Sequence, residues 1–315
     1  MNLFDGVQAI TNASGTGPID WDAAAEAATA ATDPGSLTLS AEEREAYAAD
    51  VRAAREAVGT AAAVDVELPD SVRIFDRHHW IEANVGTFER VMGPVETRTD
   101  TIPGIARTLN TGTMAVTLGF LGRNVLGQYD PVLLAEDPHE LYFVHPNIVA
   151  VADELGVPLA RFRRWIAFHE VTHAAEFGAA PWLPEYLESR LEGAVANLAD
   201  GTLDQEAFRD LDAAMTAVEG YAELLMDEAF DRPYADLRDA LDRRRQNRGP
   251  IADAIGRLLG LGLKRRQYER GKAFFEAVAA ERGIEGAGAV WEAPTNLPTG
   301  DELDTPTEWL DRVDP

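Results

Sequence analysis

Through more than half of its 315 residues the chain repeats apolar side chains at close to 3.6-residue spacing, and that period restricts the fold more than any other feature. Helices are expected at Ile19–Ala31, from Ser40 to about Val58, at His78–Met92 and at Gly104–Leu126. Others follow at Asn147–Leu155, Pro158–Gly178, Glu185–Ala199, Asp204–Phe230, Tyr234–Arg245 and Ile251–Arg282, the last broken by Gly260 and Gly262. Ser40 and Glu43 spell an S-x-x-E capping box, which marks where the second helix starts. The strand candidate is Leu141–Val144, a short apolar run stopped by His145-Pro146-Asn147. A mainly α fold with little β is expected, with a helical N-terminal domain over residues 1–130 and an α-rich domain over residues 131–315. From Trp291 the sequence becomes Pro- and acid-rich, as expected of a tail laid over the surface.

The helix starting at Pro158 carries His169-Glu170-Val171-Thr172-His173. Two histidines at i and i+4 share one helix face, close enough for both imidazoles to reach one Zn²⁺ at ~2.0–2.1 Å. Glu170 then sits beside the metal, where a carboxylate can act as general base on a bound water. Phe162, Trp165, Ile166, His169, His173 and Phe177 fall on one stripe, so the histidines face the interior. The bland alternative is two buried histidines bonded to backbone on an ordinary core helix.

A catalytic zinc needs a third protein ligand and one open position. The first candidate is Glu219, in an i, i+4, i+8 series with Glu223 and Asp227 that runs beside an apolar stripe of Ala214, Val218, Ala222, Leu225 and Ala229. Gly220 in this helix costs about 1 kcal/mol relative to alanine, which points to a neighbouring helix packed closely there, expected to be that of the two histidines. The plain alternative for Glu219 is a solvated acidic face. Glu185, in Trp182-Leu183-Pro184-Glu185, is the runner-up. Glu176 is a poor third, sharing the histidines' helix about 10 Å along its axis from His169. His78 and His79 are adjacent and point ~100° apart, so core or surface use suits them better than a shared metal. His139 and His145 flank the strand candidate, and nothing in their spacing assigns them a role.

Composition removes other function classes. The chain has no cysteine, which excludes disulfides, thiolate catalysis and thiolate metal sites, so a transition metal must use His, Asp or Glu. Fifty-four acidic residues against 28 basic ones give a net charge of −26. Lys264 and Lys272 are the only lysines. A carboxylate surplus with so little lysine suits a halophilic setting, where charges are screened beyond about 3 Å at molar salt. It argues against nucleic-acid binding, and the short basic cluster Arg243–Arg245 with Arg248 does not reverse that. The apolar run around Thr113–Leu126 is interrupted by Arg123 and falls short of the ~18 residues of a membrane span. With neither a basic start nor an apolar stretch in MNLFDGVQAITNASG, the expected location is cytoplasmic.

These motifs together resemble a zincin-like metallopeptidase family of actinobacteria and archaea, sometimes labelled as associated with biosynthesis of a deazaflavin coenzyme. The resemblance is carried by HEVTH with Phe177 and Pro181-Trp182-Leu183, and by Glu219-Gly220 with Met226-Asp227. It continues in Val125-Leu126-Gly127-Gln128-Tyr129-Asp130, His145-Pro146-Asn147, Gln267-Tyr268 with Gly271, Leu297-Pro298-Thr299 and Trp309-Leu310. It covers most of the chain from about Trp80, and the acidity is that of a haloarchaeal-type member. The resemblance implies a helical N-terminal domain joined to a zincin-like part, with His169, His173 and Glu219 as zinc ligands. It also implies Asp227 as a partner orienting a ligand histidine.

The expected chemistry is metal-assisted hydrolysis of a peptide or small amide, with Glu170 moving the proton. Tyr221 and Tyr268 are candidate oxyanion donors because they sit in the shared motifs. Were Leu141–Val144 an edge strand beside the cleft, it could pair with an extended peptide. Two other readings remain at this stage: a non-catalytic zinc-binding assembly or maturation factor, and a hydrolase of a small non-peptide amide. An open metal position separates the first from an enzyme, and a narrow closed pocket would favour the second.

Overall fold

A computed structural model describes residues 3–11, 17–62, 66, 68, 72–96, 104–130, 140–199, 205–230, 234–246 and 264–315. Among the described residues the chain is mainly helical with one small sheet. In order the elements are α1 (Leu3–Thr11), α2 (Trp21–Ala30), α3 (Ala41–Ala62), β1 (Val72–Phe75), α4 (Arg77–Glu96) and α5 (Gly104–Asn124). Then come β2 (Gly127–Asp130), β3 (Glu140–Val144), α6 (His145–Leu155), α7 (Leu159–Ala179), α8 (Leu183–Ala199), α9 (Gln205–Ala229) and α10 (Ala235–Gln246). The chain ends with α11 (Lys264–Gly288), two short 3₁₀ turns, α12 (Gly300–Asp304) and α13 (Pro306–Val313). Among the described residues, no helix is long and apolar enough to cross a membrane. The Ser40–Glu43 capping box forms as expected: the Glu43 amide donates to Ser40 Oγ at 3.1 Å, and the Ser40 amide to Glu43 Oε2 at 2.8 Å.

The sheet has order β1-β3-β2, with β1 parallel and β2 antiparallel to β3. Leu141–Val144 is thus the central strand, so the condition for pairing it with an extended peptide is not met. Its unbroken apolar run is what a strand covered on both faces requires. Because strand side chains alternate, Leu141 and Phe143 enter one core while Tyr142 and Val144 enter the other. The smaller core adds Ala24, Ala27, Trp80, Ile81, Ala115 and Leu118 from α2, α4 and α5. The larger one gathers α3, α6, α7, α9 and α11 on the opposite face. β1 and β2 escaped the sequence reading because four-residue strands such as VRIF and GQYD carry too little pattern to register.

Two other expectations change. Past Trp291 the chain enters the core: Trp291, Leu297, Leu303, Trp309 and Leu310 are buried. The Trp309 indole donates to the Asn296 carbonyl at 2.7 Å, and Arg312 pairs with Glu302 at 2.5 Å. Acidic and proline residues set the turns and caps, and the large apolar residues between them dock the tail. The second change concerns Gly220, whose close neighbour is α11. A Cβ on Gly220 would stand 2.3 Å from the carbonyl carbon of Gly271, and one on Gly271 would stand 2.2 Å from the Thr216 carbonyl oxygen. Two glycines therefore let the α9 and α11 backbones touch. The break proposed at Gly260 and Gly262 lies outside the described residues.

Gly220→Ala should lose about 3 kcal/mol of stability, the upper end for overpacking, because backbone rather than a side-chain tip stands in the way. Gly86→Ala, in α4 with nothing within 4 Å of the new carbon, should gain about 0.5–1 kcal/mol. Urea unfolding of the two variants checks both signs, and similar effects from both would contradict the backbone contact at Gly220.

Candidate metal centre

α7 starts after Pro158 and runs through the larger core, packing against α3, α6, α9 and β2. Phe162, Trp165, Ile166, Phe168, Val171, Ala174 and Ala175 bury its apolar faces. That packing turns His169 and His173 inward, with their ring centroids 4.7 Å apart and the planes at 78°. One turn earlier Trp165 stacks on the His169 ring at 5.8 Å and 9°, which limits how that imidazole can rotate.

α9 crosses α7 and brings Glu219, itself buried, to His173: Nε2 to Oε2 is 4.0 Å. One donor atom from each of His169, His173 and Glu219 lies within 4.8 Å of the other two, and this is the His/Asp/Glu cluster of metal-binding form among the described residues. Ligands on a tetrahedral zinc stand ~3.4 Å apart, so modest side-chain rotation would bring the three to bonding distance. Two imidazoles and a carboxylate are a donor set suited to a catalytic zinc.

The electrostatics also favour a cation. His173 Nδ1 lies 2.7 Å from Glu176 Oε2, leaving Nε2 turned towards Glu219. Burial by itself would lower the His173 pKa, but the charge and hydrogen bond of Glu176, with Glu219 and Glu170 beyond, outweigh it and raise the pKa. Burial drives the Glu176 pKa upward against the pull of His173. Surroundings that favour a positive imidazole favour a divalent cation for the same reason.

Glu170 faces the sheet. Its Oε2 accepts the Tyr129 amide of β2 at 3.0 Å. Asp227, implied by the family resemblance to orient a ligand histidine, is engaged elsewhere. Tyr234 Oη donates to it at 2.7 Å, Lys272 pairs with it, and Arg238 lies 3.8 Å away. The carboxylate on His173 is instead Glu176, three residues on along the same helix. The i, i+3 spacing puts the two side chains on one helix face, which suits a carboxylate–imidazole hydrogen bond rather than a shared metal. Glu223 is buried and paired with Arg238. Glu185 is exposed in the first turn of α8, outside the cluster.

Tyr221 is buried against Phe275 and Trp291, and burial together with Glu176 raises its pKa, so the phenol stays protonated. The side chain of Tyr268 and all of His139 lie outside the described residues. The remaining histidines have partners of their own. His78 Nε2 lies 2.6 Å from the Thr32 carbonyl, His79 Nδ1 lies 2.8 Å from Asp76, and His145 Nδ1 lies 2.9 Å from Tyr47 Oη.

The model of a family described as zincin-like metallopeptidase matches residues 19–203 and 193–310. A crystal structure of a candidate hydrolase with a novel fold from Chloroflexus aurantiacus is similar at 32% identity and a TM-score of 0.76. The match covers 100% of this chain and 99% of that one. No curated protein matches.

Removing the carboxylate behind His173 should matter more to metal than removing Asp227. Glu176→Ala is expected to weaken zinc binding about 10–100-fold in competition with a chelating dye. Asp227→Ala should keep the wild-type affinity while lowering the unfolding midpoint. The opposite ranking would return the orienting role to Asp227.

Proposed function

Because the chain belongs to the zincin-like metallopeptidase family, we propose that it is a zinc-dependent amide hydrolase acting on peptides, with His169, His173 and Glu219 as ligands and Glu170 as general base. One observation carries the reading: the donor atoms of His169 and His173 on α7 and of Glu219 on α9 converge within 4.8 Å, with Glu170 one residue along from His169. The family description supports a peptide as substrate class. The carboxylate surplus and near absence of lysine support a setting at high salt.

A zinc ion held there supplies a Lewis acid that polarises the scissile carbonyl and acidifies the attacking water. The chain's own residues do the rest. Glu176 fixes His173 so that Nε2 points into the centre, and the Trp165 stack holds the His169 ring. The Glu170 carboxylate takes a proton from the attacking water and returns it to the leaving nitrogen. Its Oε2 accepts the Tyr129 amide, which supports a carboxylate held in one orientation before substrate arrives. The apolar side chains around α7 exclude bulk water, which strengthens each of these interactions.

The test is metal content and hydrolysis, measured on protein purified in high salt. Wild type and Glu185→Ala should each carry one zinc per chain, and Glu219→Ala should lose it. Glu170→Gln should keep the zinc and cleave a mixed peptide library at least about 100-fold more slowly. A wild type that takes up no zinc on incubation with the metal would sink the hydrolase reading.

A further inference from the structure

The general base is held by a strand that the metal motif does not announce. In the β2–β3 ladder the Val144 amide donates to the Leu126 carbonyl, and Gln128 stands opposite Tyr142. Antiparallel pairs alternate between bonded and non-bonded, so the backbone groups of Gly127 and Tyr129 face away from β3. From that outer edge the Tyr129 amide reaches Glu170 Oε2 at 3.0 Å. Gly127 lies against the same side chain. A Cβ there would stand 2.7 Å from Glu170 Cγ, 2.9 Å from Oε1 and 3.0 Å from Cδ.

The strand is itself fixed on both faces. On one, the Tyr129 ring lies 6.1 Å from Phe177, two turns beyond Glu170 on α7. On the other, Gln128 Oε1 accepts the Trp80 indole N–H at 2.9 Å, and its amide donates to Asn84 Oδ1 at 3.1 Å. A strand so pinned cannot slide to make room for a larger residue at position 127.

We infer that Gly127 and Tyr129 are positioning residues for Glu170, and that the outer edge of β2 is the seat of the base. The inference rests on the reading of Glu170 as base. Gly127 allows the carboxylate to lie flat against the strand, and the Tyr129 amide fixes which way it turns. That amide is the donor an added peptide strand would need, so at this position β2 seats the base rather than the substrate backbone.

The test is amide hydrogen exchange by NMR on the full-length protein, with the Phe143 amide of the central strand as reference. In wild type and Glu170→Gln, where an acceptor oxygen remains, the Tyr129 amide should exchange slowly. In Glu170→Ala and Gly127→Ala it should exchange about tenfold faster or more, the loss of one hydrogen bond to a charged group. Phe143 should be unchanged throughout. Gly127→Ala should also lower the unfolding midpoint in the wild-type background but not in Glu170→Ala, where the colliding side chain is gone.

Equal protection of Tyr129 in wild type and Glu170→Ala would overturn the inference, as would equal destabilisation by Gly127→Ala in both backgrounds. Zinc content of the same proteins keeps the two readings apart. The expected exchange pattern in a wild type that binds no zinc would leave the seat standing and remove the hydrolase.

Discussion

Three carboxylates and two imidazoles lie together inside an apolar core, and the need to match each buried charge organises everything around them. Glu170, Glu176 and Glu219 are each less than a tenth exposed. An ionised carboxylate in such a place costs several kcal/mol unless partners replace the water it lost. Each partner comes from a different direction. Glu176 has His173 on its own helix, Glu170 has the Tyr129 amide at the sheet edge, and Glu219 crosses from α9 to the same histidine. The helix of the motif must therefore lie between a strand edge and a second helix. The small sheet supplies a backbone donor that the middle of a helix cannot, because helical amides past the first turn are already bonded.

The same requirement divides the acidic stripe of α9. Glu219, Glu223 and Asp227 look equivalent in sequence, and one period sets all three on one side of the helix. Only Glu219 reaches the histidines. Glu223 and Asp227 meet Arg238 of α10 and Lys272 of α11, and Lys272 also lies 3.5 Å from Glu276. In a chain with two lysines, placing one there ties α9 and α11 together about two turns beyond Glu219. The stripe has one end facing the histidines, where we propose the metal is held, and another already neutralised by cations the chain carries.

This division explains what could be read from residues alone. His169, Glu170 and His173 were legible because an i, i+4 pair on an apolar stripe is a local pattern, and helices long enough to show a period were located for the same reason. Glu219 was legible as a candidate, with Gly220 signalling close packing, but the packed partner proved to be α11 through Gly271. Glu176 was visible at i+3 from His173, and its role depended on which imidazole nitrogen faces inward, a matter of tertiary packing. β1 and β2 were missed because four residues do not make a period. The tail was misjudged because its composition suggested solvent, while five large apolar residues among the acids and prolines carry it into the core.

The glycines show how tightly the centre is built. At both Gly127 and Gly220 the space a side chain would need is taken by a neighbour, Glu170 in one case and the α11 backbone in the other. Neither position needs a left-handed backbone, since the positive-φ glycines of the described residues are Gly35, Gly156 and Gly283. Conformational freedom is thus not their reason; close approach is. Gly220 sets the depth at which α9, and with it Glu219, sits against α11. Gly127 sets how near the sheet edge comes to Glu170. The proposed ligand and the proposed base are therefore both placed by contacts between regular elements rather than by loops, the arrangement that best holds a reactive geometry to fractions of an ångström.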